Sequence, residues 1–445
     1  MLVDRYLTLA DSVAADIRAG RLRPGDRLPT QRRFARDRGI AVSTAARVYT
    51  ELVHRGLVTG EVGRGTFVRA APPAPGLALA EPAAAGRVDL EMNIPVLPQQ
   101  GEMLAPIIEG LLRPGVLGAS LTATTVTGTP AARGAAAALL ARTGWTPEPD
   151  GVLFAGNGRQ AIAAAVSALV PLGGRLGVEA LTYPVVRGIA ARLGIQLVPI
   201  PTDDGGLLPD AVRAAGRLDA VYLQPTLHNP LGTTMTPARR AALAEVLAER
   251  DLMAVEDTIY AFLRDAPAPL AAFAPERTVL VDSLSKRVAP GLTLGFVVPP
   301  AAVHERIAVA LRSGGWTPQA FALEAATRFM ADGVVAAIET AKRADAAARQ
   351  ALVAERLAGF VLRTDPSSYH CWWELPAPWR AETFVAAAAR RGIAVTPAAA
   401  FAVGAAHAPS AVRLALAAPP VPVLAAALDA LALLGRGNPA DDEVE

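Results

Sequence analysis

Only two lysines, Lys286 and Lys342, stand among the 43 Lys and Arg residues of this 445-residue chain. Lys286 ends the segment Val281–Lys286, just after an apolar run that is typical of a buried strand. Arginine stays protonated in proteins, whereas a desolvated lysine can lose its proton and attack a carbonyl carbon. Lys286 is therefore a candidate for imine chemistry. Lys342 lies in a charged helical stretch, where an exposed, solubilising role is sufficient.

Other residues have the chemistry that pyridoxal phosphate (PLP) requires of its site. The pyridinium nitrogen needs a carboxylate if the ring is to act as an electron sink, and Asp257, at the end of an apolar strand, can supply it. Tyr260, three residues further on, and Asn229, in an Asn-Pro turn, can bond the phenolic oxygen from opposite sides. Tyr183 can stack on the ring.

A phosphate is bound well by backbone N–H groups at the start of a helix. The segment Phe154–Gln160 places a Gly-Asn-Gly turn before an alanine-rich helix, although such a loop is weak evidence by itself. Each of these residues also has an ordinary structural explanation: a turn for Asn-Pro, a helix cap for Asp257 and core packing for Tyr183. The interpretation therefore depends on the order of the motifs along the chain.

That order is a glycine loop, a Tyr, an Asn-Pro pair, Asp-x-x-Tyr and then Ser-x-Ser-Lys, and it resembles the fold-type I aminotransferases over residues 90–435. The resemblance implies the internal aldimine for Lys286, the ring nitrogen for Asp257, the phenolate oxygen for Asn229 and Tyr260, and the stacking face for Tyr183. It also implies a set of residues near the phosphate, namely Gly158, Arg159, Gln160, Ser283 and Ser285.

Arg413, in an apolar strand, matches the arginine that binds the substrate α-carboxylate in that family. A planar guanidinium binds a carboxylate through two parallel hydrogen bonds, and an ordinary ion pair on a strand is the alternative.

One position departs from the family pattern. Relatives usually carry an arginine seven residues after the lysine, where it pairs with the cofactor phosphate, and Thr293 stands there in this chain. The loss of a charge-assisted hydrogen bond weakens binding by about 1.5–3 kcal/mol. Arg287 or Arg159 can compensate. The hypothesis is that PLP binds less tightly than is typical, or that PLP is itself the sensed ligand.

The first 70 residues carry 13 Arg and 7 Asp or Glu, a net charge of +6 in a chain of net charge +2. Such a basic segment favours contact with nucleic acid, although a solvated arginine-rich surface explains it equally well. Three helices and a hairpin in this length predict a winged helix-turn-helix. The predicted elements are a helix over 4–19, a helix over Pro29–Arg38 capped by Thr30, a helix capped by Ser43, and a hairpin over Leu57–Val68.

In a winged helix-turn-helix the third helix enters the major groove and the wing contacts phosphates or the minor groove. Arg47 lies opposite the apolar positions Val48 and Leu52, and it can bond the O6 and N7 atoms of guanine. The predicted DNA-facing set is Arg32, Arg33, Thr44, Arg47, Arg64 and Gly65, and ordinary surface arginines are the alternative.

The segments Leu22–Arg32, Val42–Arg47 and Gly63–Val68 resemble the GntR winged-helix family, and the match covers residues 4–69. The resemblance implies that Arg32, Thr44, Arg47 and the wing glycines face DNA. Thr44 stands where GntR heads often have arginine, so one contact differs. A GntR head joined to an aminotransferase-like body resembles the MocR-type regulators.

From Val88 onward, apolar segments alternate with alanine-rich helices, which predicts an α/β domain with a largely parallel sheet. The predicted strands are Gly151–Ala155, Arg175–Val178, Gln196–Ile200, Ala220–Gln224, Met253–Glu256, Thr278–Asp282 and Leu294–Val297. The expected fold is therefore multidomain. The predicted parts are a winged helix-turn-helix over 1–70, an Ala/Pro-rich linker over 71–87, a fold-type I aminotransferase-like domain over 88–435 whose smaller α+β lobe spans about 359–435, and an acidic tail over 436–445.

A single cysteine, the lack of a signal peptide and the lack of a long apolar run predict a cytoplasmic protein with no membrane partner. No metal site is expected, and the resemblance implies a homodimer. The leading hypothesis is a transcription regulator that binds double-stranded operator DNA and senses a small amine, an amino acid or PLP itself. The alternatives are a working aminotransferase with an accessory DNA-binding head, and a regulator whose body has lost PLP because of Thr293.

Overall fold

The computed structural model describes residues 3–18, 21–23, 25–54, 57–61, 65–68, 87–265, 267–404 and 408–438. The head contains three helices, α1 (Val3–Arg18), α2 (Gln31–Asp37) and α3 (Val42–His54), and an antiparallel hairpin of β1 (Val58–Glu61) and β2 (Gly65–Val68). This is the predicted arrangement of helices and hairpin. Most of the predicted linker and acidic tail lies outside the described residues.

The apolar face predicted for α3 is the one that the structure buries, with Ala45, Val48, Tyr49 and Leu52 in the core of the head. The N-cap predicted for α2 is also confirmed, since the Thr30 hydroxyl accepts the backbone N–H of Arg33 at 3.3 Å. The cap predicted at Ser43 is wrong. The helix begins at Val42, because the main-chain oxygen of Ala41 already accepts the N–H groups of Thr44 and Ala45.

The rest of the described chain has fourteen strands and fourteen α-helices, besides three single-turn 3-10 helices. The strands are β3 (Val88–Leu90), β4 (Leu153–Ala155), β5 (Arg175–Glu179), β6 (Gln196–Ile200), β7 (Thr202–Asp203), β8 (Gly206–Leu207), β9 (Ala220–Leu223), β10 (Met253–Asp257), β11 (Thr278–Ser283), β12 (Gly295–Val298), β13 (Val361–Thr364), β14 (His370–Glu374), β15 (Ile393–Pro397) and β16 (Ala411–Ala415).

The helices are α4 (Gln100–Leu111), α5 (Pro114–Ala119), α6 (Pro130–Leu140), α7 (Gly158–Leu169), α8 (Pro184–Arg192), α9 (Pro209–Ala214), α10 (Pro237–Glu249), α11 (Leu270–Phe273), α12 (Leu284–Arg287), α13 (Ala301–Ser313), α14 (Ala320–Ala331), α15 (Val334–Arg356), α16 (Ala381–Arg390) and α17 (Val421–Arg436). Within the described ranges, no helix combines the length and the apolar character that crossing a bilayer requires.

The larger sheet has seven strands in the order β4-β12-β11-β10-β9-β5-β6. All neighbouring pairs are parallel except those of β12, which is antiparallel to both β11 and β4. All seven predicted strands are present, with ends that differ by at most two residues. Helix α7 packs against this sheet through fully buried alanines, including Ala161, Ala164 and Ala165, whose small side chains let its axis come close to the strands.

The smaller sheet has the order β13-β14-β16-β15-β3, so it includes a strand from the very start of the body. β3 pairs in parallel with β15. The expected start of this lobe, near residue 359, leaves out β3, because three residues are too few to show a periodic pattern. Helix α15 joins the two lobes: Val335 and Ile338 lie in the core of the larger one, and Val353 lies in the core of the smaller one.

Candidate functional site

The candidate site lies at the carboxyl ends of the central parallel strands. Asp257 ends β10, Ser283 ends the neighbouring β11, and Gln224 directly follows β9. Gly158 begins α7 just after β4, so the start of this helix reaches the same edge. In open α/β sheets, ligands bind in the crevice outside these strand ends.

Lys286 lies in the single-turn helix α12, which follows β11 without a break. Its amine donates a hydrogen bond to the main-chain oxygen of Asn93. Burial, and then the positive charges of Arg159 and Arg413, lower the pKa of the Lys286 amine to about 8. Near neutral pH the neutral, nucleophilic fraction of such an amine is much larger than that of an ordinary lysine.

Asp257 is buried and held by three donors. Its Oδ2 accepts from the Tyr222 hydroxyl at 2.7 Å and from Gln224 Nε2 at 2.9 Å, and its Oδ1 accepts from the backbone N–H of Ile259 at 3.1 Å. Burial raises the pKa of Asp257 to about 6, against the opposing effect of these hydrogen bonds. It forms no ion pair with any residue that the structure describes, so a cationic ring nitrogen would supply the charge partner that this carboxylate lacks.

Asn229, Tyr260 and Arg413 lie around the same pocket. Gln224 Oε1 accepts from the backbone N–H of Asn229 at 3.3 Å, so one glutamine contacts both Asp257 and Asn229. The side chain of Asn229 accepts from Arg413 Nη1 at 3.4 Å. The Tyr260 hydroxyl is 3.3 Å from the side-chain nitrogen of Asn93. These contacts place the predicted ring and carboxylate partners in one connected group.

Arg413 lies on β16 and is buried. Its Nη2 donates to the main-chain oxygen of Glu91 and to the Thr396 hydroxyl, the latter at 3.1 Å. Its Nε is buried without a partner among the described residues. None of its partners is a carboxylate, so the alternative of an ordinary ion pair does not describe this arginine.

The residues predicted for the phosphate also meet. A Cβ atom added to Gly158 would lie 2.9 Å from the Ser283 hydroxyl, so only glycine lets the start of α7 come this close to the end of β11. Asn157 caps α7 by accepting the N–H of Gln160 at 3.0 Å, and the Gln160 Oε1 is buried without a partner in the described structure. Arg159 is exposed, and its positive charge opposes the effect of burial, which raises the pKa of the Tyr183 hydroxyl.

Thr293, the residue that departs from the family pattern, lies beside this group. Its hydroxyl is 2.7 Å from the hydroxyl of Ser285, so the two side chains share one hydrogen bond. The pair contributes oxygen atoms to this part of the pocket and no positive charge.

Arg287, one of the two arginines expected to compensate for Thr293, has carboxylate partners within the protein. The Arg287 guanidinium is fully buried, donates to Asp282 at 2.6 Å and to Glu339, and stacks on the ring of Phe262. Since two carboxylates already neutralise its charge, Arg159, which forms no ion pair within the described residues, is the better candidate of the two arginines for the phosphate.

The exposed role expected for Lys342 is wrong. This side chain is fully buried, and its amine donates to the main-chain oxygens of Lys286 and Val288 at 2.9 and 2.6 Å. The sequence shows a charged stretch here, but one side of a helix can face the interior while its neighbours remain in solvent.

Three of the arginines predicted to face DNA, Arg32, Arg33 and Arg47, are exposed on the head. Arg47 is exposed on α3, with its guanidinium 4.6 Å from the ring centre of Tyr6, and Thr44 is half-buried. Arg32 and Arg33 are exposed in the first turn of α2. Gly65 has a φ of +127°, and an added Cβ would lie 2.7 Å from Arg27 Nε, so the wing requires glycine here. Arg64 lies outside the described residues.

Sequence reasoning missed Tyr222, Gln224, Thr396 and Asn93. Tyr222 and Gln224 are polar residues at the end of an otherwise apolar strand, and that break in the pattern was the available signal. Asn93 and Thr396 carry no comparable signal, because they reach the pocket only through the pairing of β3 with β15 and of β15 with β16.

Comparison with known proteins covers both parts of the chain. Residues 103–431 match the family of class I and II aminotransferases, and residues 5–68 match the gntR family of bacterial regulatory proteins. The chain is 30% identical over 426 residues to YdeF of Bacillus subtilis, an uncharacterized HTH-type transcriptional regulator, covering 93% of this chain and 90% of that one.

The chain is also 25% identical to the probable rhizopine catabolism regulatory protein MocR of Rhizobium meliloti, over 75% of this chain and 73% of that one. Among solved structures, the kynurenine aminotransferase of Pyrococcus horikoshii superposes with a TM-score of 0.72 and 22% identity, over 81% of this chain and 92% of that chain. This likeness shows the fold of the body.

Proposed function

Since this chain belongs to the class I and II aminotransferase family and carries a gntR-family head, we propose that ligands bound at Lys286 control how the head binds DNA. The head is a DNA-binding domain, and the whole chain is a DNA-binding transcription regulator with an aminotransferase-like domain. The observation that carries the proposal is the buried Lys286 amine, whose pKa is lowered to about 8 by burial and by the charges of Arg159 and Arg413, at the same end of the sheet as the buried carboxylate of Asp257.

The cofactor of the aminotransferase-like domain is pyridoxal phosphate, and the pocket fits it. Asp257 is a buried carboxylate that would hold the ring nitrogen, Asn229 and Tyr260 would hold the phenolic oxygen, and Tyr183 would lie against the ring. Gln160 Oε1 and Arg413 Nε are buried polar atoms without described partners in the same pocket. When bound, pyridoxal phosphate supplies an aldehyde carbon that takes up an amine nitrogen with loss of water.

The phosphate would lie against the N-terminus of α7, where Gly158 provides the space and backbone N–H groups point outward. Ser283 and Ser285 would add hydroxyl groups, and Arg159 would add the positive charge. With Thr293 in place of an arginine and Arg287 neutralised elsewhere, this chain holds the phosphate with less positive charge than the family pattern provides. We infer reversible, comparatively weak binding, which allows the cofactor itself to serve as an effector.

The proposed effector is a small amine or amino acid, or the cofactor itself. Arg413 would recognise a carboxylate, because its Nη2 already bonds neutral oxygens that a charged oxygen can replace. One of these oxygens belongs to Glu91, and the Lys286 amine bonds the oxygen of Asn93, two residues further on. Both residues follow β3, the first strand of the body after the segment that leads to the head. Ligand contacts at Lys286 and Arg413 would therefore alter the start of the body.

The finer assignments are part of the same proposal. We propose a cytoplasmic homodimer that binds double-stranded operator DNA through Arg32, Arg33, Thr44, Arg47, Arg64 and Gly65. Its proposed parts are the head over 1–70, the linker over 71–87, the body over 88–435 and the tail over 436–445. A ligand shifts DNA affinity only by its differential affinity for the two states of the dimer.

The test of the site is the visible absorbance of the purified full chain, recorded before and after addition of PLP, beside Lys286→Ala and the exposed-residue control Arg306→Met. We expect a band from lysine-bound PLP in the wild type and in Arg306→Met and none in Lys286→Ala. A wild type without this band at saturating PLP would remove the cofactor from the proposal and leave the body as a dimerisation domain.

A second candidate function is favoured by the same geometry, because the lysine, the carboxylate and the carboxylate-binding arginine of an aminotransferase all meet in this pocket. A steady-state assay with amino-acid donors and keto-acid acceptors distinguishes it. Sustained turnover would make the chain an enzyme with a DNA-binding head, and a single half-reaction would leave it a regulator.

A further inference from the structure

The two lysines of this chain meet inside the body. Lys342, on α15, has no exposed surface, and its amine lies 2.9 Å from the main-chain oxygen of Lys286 and 2.6 Å from that of Val288. Lysine is rarely buried completely, because removing an ammonium group from water is costly. Its burial at this place therefore requires specific partners.

Those partners are a carbonyl group of α12, that of Lys286, and the carbonyl group of Val288, which directly follows the helix. A helix leaves its final carbonyl oxygens without partners in the helix, and a cation is favoured at that end. The four-residue helix α12 is also held by Arg287, which Asp282 of β11 and Glu339 of α15 bind, but those bonds involve a side chain and leave these carbonyl groups unpaired. Gln100 Nε2 also donates to the oxygen of Val288, at 2.8 Å. The main chain around Lys286 is thus held by two side chains from other helices.

The charges around Lys342 fit this role. Glu339 and Asp345 face it from its own helix, and Lys286 faces it from α12. Glu339 is paired with Arg287, and the Tyr369 hydroxyl donates to the main-chain oxygen of Lys342 at 2.9 Å. Burial and the neighbouring Lys286 lower the pKa of Lys342 to about 7. The protonated amine is the form with three donors for the carbonyl oxygens.

Helix α15, which carries Lys342, connects the two lobes of the body. It runs from the core of the larger lobe, where Ile338 packs, to the core of the smaller lobe, where Val353 packs. Lys342 lies between these two residues. A bond from the middle of α15 to the backbone of Lys286 joins the cofactor-binding residue to the helix that connects the lobes.

We propose that Lys342 is a positioning residue for Lys286, which fixes the main chain of α12 to α15 and so holds the Lys286 amine in place. This inference rests on the proposed role of Lys286 and goes beyond it, because it assigns a function to the second lysine. Lys342 itself bonds only protein oxygens in this role, and it forms no bond with PLP.

The direct test is amide hydrogen exchange of the full chain, with Lys342→Met compared with the wild type. The N–H of Val288 donates to the oxygen of Leu284 at 2.7 Å, so its exchange reports the opening of α12. We expect exchange over residues 284–290 to become at least roughly 10-fold faster, while α7 remains unchanged. Unchanged exchange over 284–290 would overturn the proposal. The control is Arg343→Met, which removes the neighbouring and partly exposed charge. In this variant the exchange rates over residues 284–290 should equal those of the wild type.

A PLP titration gives a second readout. In Lys342→Met we expect the absorbance band to remain, with a Kd for PLP raised roughly 10-fold and partial recovery in Lys342→Arg. If the Kd of Lys342→Met for PLP equals that of the wild type, Lys342 does not position Lys286 for PLP binding.

A wild type without any absorbance band would defeat the proposed function, while the exchange experiment would still decide whether Lys342 fixes α12. If Lys342→Met does not fold, Lys342→Arg, which keeps the charge but not the geometry, replaces it in the exchange comparison.

Discussion

Lys286 and Arg413 come from different lobes, and both donate hydrogen bonds to main-chain oxygens of one short segment, at Asn93 and Glu91. The segment directly follows β3, which pairs with β15 in the smaller lobe. The amine that would bind the cofactor and the guanidinium that would bind a carboxylate are thus both tied to the part of the body that leads to the head. A ligand that replaces either hydrogen bond would therefore change the contacts of the segment that leads to the head.

The first prediction concerns pH. Only the neutral amine attacks an aldehyde, and the pKa of Lys286 is lowered to about 8. The rate at which the absorbance band forms after addition of PLP should therefore rise with pH up to a midpoint near pH 8 and level off above it. Stopped-flow absorbance across pH 6–10 measures this rate. A midpoint near 10.5, the ordinary value for lysine, would contradict the environment described for Lys286.

The second prediction concerns the phosphate. Thr293→Arg would restore a charge beside Ser285 and should tighten PLP binding by roughly 10-fold or more, since a charge-assisted hydrogen bond contributes about 1.5–3 kcal/mol. Leu292→Arg, one residue earlier and partly exposed, is the matched control for added charge. Equal PLP affinity in Thr293→Arg and the wild type would show that Thr293 does not weaken this site.

The third prediction concerns effector class. Arg413→Met should weaken the response to amino acids by roughly 10-fold or more, because the carboxylate loses a bidentate partner, and should change little for amines without a carboxylate. Shifts of the absorbance band during titration with an amino acid and with its decarboxylated amine measure the two affinities. If both ligands lose affinity equally, Arg413 does not select for a carboxylate.

The fourth prediction separates two kinds of DNA contact. Arg47→Ala should reduce affinity for a selected operator by roughly 10–100-fold and relax its sequence preference, as expected for lost contacts to guanine. Arg33→Ala should weaken binding to all sequences alike. It should also reduce the slope of log affinity against log salt concentration by roughly one, the effect of one lost phosphate contact. Salt titrations with an operator selected from random DNA, compared with unrelated DNA, measure both. Identical behaviour of the two variants would contradict these separate roles.

The architecture and much of the pocket could be predicted from the sequence, because local patterns determine them. Seven strands, the buried face of α3 and the Thr30 cap follow from hydrophobic periodicity and from the chemistry of capping. The residues around Lys286 were found because they occur in motifs with a fixed order. The structure brings these residues together, while their individual roles toward PLP remain predictions.

The remaining features depend on contacts between distant parts of the chain. The charged stretch around Arg343 and Asp345 predicts a solvent-exposed Lys342, and only the packing of α15 against α12 buries it. Arg287 adjoins Lys286 in sequence, yet Asp282 and Glu339 bind its guanidinium and neutralise its charge. Asn93 enters the site only because β3 pairs with a strand some 300 residues later in the chain.

The central claim is that occupancy of the Lys286 pocket changes DNA binding by the head. The most direct test is a titration of operator DNA with the full-length protein, without ligand, with PLP, and with PLP plus candidate amines, in the wild type and in Lys286→Ala. The account predicts ligand-dependent curves for the wild type and one common curve for Lys286→Ala. Superimposable wild-type curves, in samples whose absorbance shows bound PLP and its response to the amine, would contradict it.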